Sequence, residues 1–156
     1  MKHIFFISIL LAILSSLLGA AEAPSVKKLG ANESLVVEYS THGCFHHSQS
    51  VFIFTSDKVS IYSVETESQK DKAAEVKKNY LGDVQLSDDE VKKLDALFEF
   101  YAKKPREGCT TVDHIAVSAQ KDGKEIKTYE FTDGSCSTYD MKSVLTLGKL
   151  MGKVKK

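Results

Sequence analysis

The sequence predicts an α+β fold: an antiparallel sheet of about five strands with one central and one C-terminal helix packed on it. Three observations carry this expectation. Apolar, β-branched segments separated by short polar turns recur through residues 35–64 and again through 112–132, which is the pattern of hairpins. Between the two groups, Val91, Leu94, Phe98 and Tyr101 form an apolar stripe at helical spacing. A second such stripe, Val144, Leu147 and Met151, lies near the end of the chain.

Ahead of these elements, Met1, Lys2 and His3 lead into an apolar run from Ile4 to Leu18 and then into Gly19, Ala20 and Ala21. That order predicts a secretory signal peptide over residues 1–21. Cleavage after Ala21 is preferred to cleavage after Ala23, which would place Pro24 directly beyond the scissile bond. The apolar run is shorter than the roughly 20 residues of a permanent span, so no stable transmembrane span is expected after processing. No cysteine stands near its end to carry a lipid anchor. The protein is therefore expected to be secreted or periplasmic. Of 156 residues, the 21 of the leader leave 135, enough for one compact domain and too few for two cores. Residues 22–34, polar with Pro24 and Gly30, are expected to form a flexible lead, and 35–156 a single secreted α+β domain.

Leu35 to Tyr39 reads as the first strand, a polar turn is expected from Ser40 to Ser50, and Val51 to Phe54 resumes the extended pattern. Ser56, Asp57 and Lys58 should turn the chain into Val59–Val64, giving a hairpin whose first strand is apolar on both faces. Glu65 to Lys78 is highly charged and reads as a solvated connection, followed by a short extended piece within Asn79–Gln85. Ser87 with Glu90 three residues on is a capping box. It opens a helix that should end near Lys103, because Pro105 lacks a backbone donor and restricts the residue before it.

Lys121, Asp122 and Gly123 are the strongest hairpin signal, joining Val112–Ala119 to Glu125–Thr132. A three-residue loop with Gly123 left-handed would set Ile115 opposite Tyr129. Asp140 suits the N-cap of the last helix, where Gly148 and Gly152 each cost roughly 1 kcal/mol relative to Ala if interior.

The full chain carries 21 basic and 21 acidic residues, and loss of Lys2 with the leader leaves 20 against 21. Nucleic acid is not an expected partner, since phosphate binding draws on clustered, unopposed Lys and Arg. The basic tail at Lys149, Lys153, Lys155 and Lys156 is accounted for by cations at a helix C-terminus. Asn32-Glu33-Ser34 is a glycosylation sequon, meaningful in a eukaryotic host.

Three cysteines, Cys44, Cys109 and Cys136, enter an oxidising compartment. Cys109 precedes one strand of the late hairpin and Cys136 follows the other, so a disulfide bond between them would close a loop of about 27 residues, worth about 3 kcal/mol. Cys44 remains an alternative partner for either.

His42, Cys44, His46 and His47 gather metal-capable side chains within six residues, and could hold Zn or Cu as imidazole and thiolate ligands. Their spacing matches no common zinc motif, so a structural role for the polar loop is preferred. No Gly-x-Ser-x-Gly elbow, phosphate-binding glycine loop or Cys-x-x-Cys pair is present. Asp113 and His114, as strand neighbours, point to opposite faces and do not make an oriented dyad. The carboxylates Glu65, Glu67, Asp71, Asp88, Asp89 and Glu90 are explained by solvation and the helix dipole.

The function expected is an exported, noncatalytic binding domain for a protein or cell-envelope component, an inhibitor being one form of it, with Phe45, Tyr62, Tyr129 and Tyr139 as contact aromatics. The alternative is a metal-binding protein using the His42 to His47 cluster.

Overall fold

A computed structural model describes residues 22–42, 47–65, 77–103, 112–133 and 142–154. The first four strands are β1 (Glu33–His42), β2 (His47–Phe54), β3 (Lys58–Glu65) and β4 (Lys77–Gln85). Helix α1 (Asp88–Lys103) follows, then β5 (Val112–Lys121), β6 (Lys124–Asp133) and helix α2 (Lys142–Val154). The strands form one antiparallel sheet in the order β4-β3-β2-β1-β5-β6. This is the α+β class the sequence predicts, with six strands among the described residues and four of them ahead of α1.

Both helices pack on one face. Leu35, Val37 and Tyr39 of β1, Phe52 and Phe54 of β2, and Ile115 and Val117 of β5 are buried there with Leu94, Leu97 and Phe98 of α1 and Leu147 and Leu150 of α2. Complete burial of a Phe such as Phe52 or Phe54 contributes about 1.5–3 kcal/mol. Tyr101 of α1 stacks on Phe131 of β6 with ring centroids 6.3 Å apart, and the Ser50 hydroxyl of β2 donates to Met151 Sδ of α2 at 3.6 Å.

The capping box forms as expected: the Ser87 backbone N–H donates to Glu90 Oε2 at 2.9 Å, and the Glu90 N–H to Ser87 Oγ at 3.4 Å. The polar turn expected from Ser40 to Ser50 is shorter. Strand pairing continues to His42 opposite His47, so only residues 43–46 connect β1 to β2. Backbone ladder bonds do not depend on apolar side chains, and Ser50 is itself buried. The expected three-residue loop is replaced by a two-residue turn, with Asp122 at φ 50° and Gly123 at φ 74° and Lys121 opposite Lys124. Two left-handed residues match the strand twist of a tight hairpin. An irregularity between Ala119 and Gln120 follows, and Ile115 lies opposite Phe131, with Val117 opposite Tyr129.

Val26 is 1% exposed within the core, its N–H donates to Asp95 Oδ1 at 2.7 Å, and Ser25 Oγ donates to Asp95 Oδ2 at 2.7 Å. Asp140, proposed as an N-cap, lies outside the described residues.

Candidate functional site

Strand alternation on β1 sends Leu35, Val37 and Tyr39 to the helices and Val36, Glu38, Ser40 and His42 to the other face. Among the described elements no helix covers that second face. Register carries it across the sheet, because residues opposite one another in antiparallel strands share a face. One row runs Tyr80, Tyr62, Val51, Glu38 and Ala116, and the next runs Ser60, Ile53, Val36 and Ser118.

Val51 is 1% exposed yet stands outside the helix-side core. Its flanking positions are Glu38 and Tyr62, and the Lys78 ammonium of β4 reaches Glu38 of β1 at 3.4 Å across the intervening strands. The Tyr62 and Tyr80 rings sit 5.4 Å apart at 56°, and Tyr80 is 58% exposed. The Tyr80 hydroxyl donates to Asp83 Oδ1 at 2.8 Å. Asp83 also accepts from Lys58 at 2.8 Å and from Ser60 at 2.7 Å. These donors, Lys58 foremost, hold the Asp83 carboxyl at about 2, while donation to Asp83 raises the Tyr80 phenol above its ordinary range. At neutral pH the pair is therefore a carboxylate and an intact phenol. The tyrosine ring is held at its hydroxyl end and flanked by Tyr62, and the rest of its apolar surface is open to solvent.

At the other end of this face stand the histidines. His42 is opposite His47 in register, and His114 of β5 is opposite Ser40. The His42 and His114 rings meet edge to face with centroids 6.0 Å apart, and Thr132 Oγ1 of β6 lies 3.3 Å from His114 Nδ1. Backbone pairing is regular here, with Asp113 opposite Asp133 and His114 opposite Thr132. Among the described residues no group of three or more His, Cys, Asp or Glu is gathered as metal ligands. Of the expected metal set, His42 is on the open face, the backbone of His47 is opposite it, and Cys44 and His46 lie outside the described residues. Cys109 and Cys136 also lie outside them, as do Phe45, Tyr139, Glu67 and Asp71. Tyr129 packs against the helix-side core, which removes it from the open face.

A cleft of about 540 Å³ separates the two helices, with Leu94, Leu97 and Leu150 along its floor. Glu90 and Lys153 pair across its rim. Partial burial pushes the Glu90 carboxyl up, but the Lys153 ammonium and the Ser87 donors outweigh this and hold it at about 2. Sequence reasoning missed this cleft, since helix stripes do not say how two helices sit side by side. It also missed Tyr80, whose strand is polar and carries no apolar alternation.

No helix among the described residues is long and apolar enough to cross a membrane. Comparison with protein-family models and with curated proteins finds no match.

Proposed function

We propose that this is an exported, noncatalytic binding domain that recognises a protein through the open face of its sheet, centred on Tyr62 and Tyr80. The observation that carries this reading is an exposed tyrosine locked by hydrogen bonding on a strand face that no described helix covers. Tyrosine supplies contact area at low conformational cost, and a ring already held in place loses little freedom when a partner docks. Half-buried Val36 and Ile53 beside Ser60 and Ser118 give that centre an apolar strip with polar neighbours, the composition of a binding patch with a wet rim. Helices behind the sheet keep the strands in register and the face rigid.

Site-specific photocrosslinking tests this. A crosslinker at Tyr80 should give a discrete adduct in the exported fraction that the same group at exposed Lys92 of α1 does not give, and Tyr62→Ala should reduce its yield. Adducts equal at the two positions, or none at Tyr80, would remove the open face as the recognition surface.

A further inference from the structure

We propose that Met151 of α2 is a site of S-oxidation by a hydroperoxide, and that the Ser50 hydroxyl of β2 holds the oxygen it acquires. Met151 is the methionine among the described residues. It is half-buried and packs against the helix-side core.

Two features of the fold set this thioether apart. The first is its partner. Ser50 is 6% exposed and stands opposite Tyr39, on the face that the helices cover. Its strand lies inside the sheet, between β1 and β3, which fixes the position of the hydroxyl. That hydroxyl donates to Met151 Sδ at 3.6 Å, and a thioether sulfur is a weak acceptor. A buried donor held by a weak acceptor gains from a stronger one in the same place. The second feature is access. A methionine side chain in a helix leans over the turn before it, and there, three residues ahead of Met151, stands Gly148, exposed and without a side chain. Gly152, next in sequence, is also exposed, with no heavy atom within 4 Å of the point a Cβ would occupy. Neither position sets a side chain in the path of a small oxidant.

In the reaction a sulfur lone pair attacks the terminal oxygen of the hydroperoxide. The S–O bond forms as the O–O bond breaks, and the electron pair of the broken bond leaves with the alkoxide or hydroxide. That leaving group takes the proton of the transferred oxygen, so thioether and hydroperoxide become sulfoxide and alcohol or water. The sulfoxide is polar and chiral at sulfur. With Oγ 3.6 Å from Sδ, a bent S=O···H–O arrangement sets the new oxygen about 2.7–2.8 Å from Ser50 Oγ. One of the two epimers directs it there, and the other directs it away.

The test treats the purified chain with hydrogen peroxide and reads Met151 by peptide mass mapping. The epimer is identified by which of the two stereospecific methionine sulfoxide reductases, supplied with a dithiol, removes the oxygen from the released peptide. One oxygen at Met151, with one epimer in excess by roughly fivefold, is expected, the scale of one hydrogen bond. Ser50→Ala should bring the two epimers to near equality. Met151 left unoxidised at a peroxide dose that oxidises it fully in the urea-unfolded chain, equal epimers in the parent, or an undiminished excess in Ser50→Ala would each overturn the proposal.

Discussion

At Gly82 the backbone takes φ +149°, and a Cβ added there would lie 3.0 Å from Val154 Cγ1 of α2. The glycine stands opposite Ile61, beside a bulge that sets Tyr62 opposite Tyr80. Both the conformation and the close approach of the helix therefore depend on the missing side chain. Gly82→Ala should cost about 1–3 kcal/mol in urea unfolding, and shortening the helix residue as well, with Val154→Ala, should recover only the steric share. A neutral Gly82→Ala would show that neither constraint acts. Nothing in the local sequence distinguishes this glycine, because the constraint comes from a helix some 70 residues later. Val26 was hidden for the same reason: its surroundings in sequence are polar, and the Asp95 carboxylate that accepts its N–H belongs to another element.

Among the elements, α1 was the most legible, since its cap, its stripe and its stop are all local signals. Ser87 and Glu90 form the capping box, and Lys153 of α2 joins Glu90. That places one carboxylate at the junction of both helices. Its value in the fold, about 2, lies below the ordinary 4.5, so the stabilisation is fully present above about 4.5 and is lost as pH falls through about 2. Glu90→Gln should lower stability by about 1 kcal/mol at neutral pH, the scale of a helix cap plus a partly exposed ion pair. The gap between variant and parent should close on acidification between those two values, as followed by urea unfolding at a series of pH values. A gap that persists unchanged at pH 2 would mean that the carboxylate charge is not its source. The strands were less legible than the helix. The ends of β1 and β2 carry Ser, Thr, Gln and His, and β4 is charged, so propensity and alternation fade where the ladder continues. Turn chemistry identified the Asp122-Gly123 hairpin but not its length, because a bulge in one strand is set by packing across the sheet.

At the scale of the whole molecule, the pairing of β1 with β5 unites an early four-stranded group with a late hairpin and leaves β4 and β6 as the edges. Both edges are bulged and rich in charge at Lys77, Lys78, Lys124 and Lys127, which discourages edge-to-edge association. In the proposed function, recognition therefore falls to the broad face and not to a strand edge. The fold class followed from local patterns, whereas the identity of the face that no described helix covers did not, because alternation reports two faces without saying which one the helices take. The most direct measurement of the central claim is hydroxyl-radical labelling of Tyr80, compared between purified protein and protein in the cells that produce it. Ile126, 63% exposed on β6, serves as the internal reference. Strong labelling of Tyr80 in the purified protein and protection in the cellular setting, with Ile126 labelled alike in both, is the predicted result; Tyr80 labelled equally in both settings would contradict a partner on the open face.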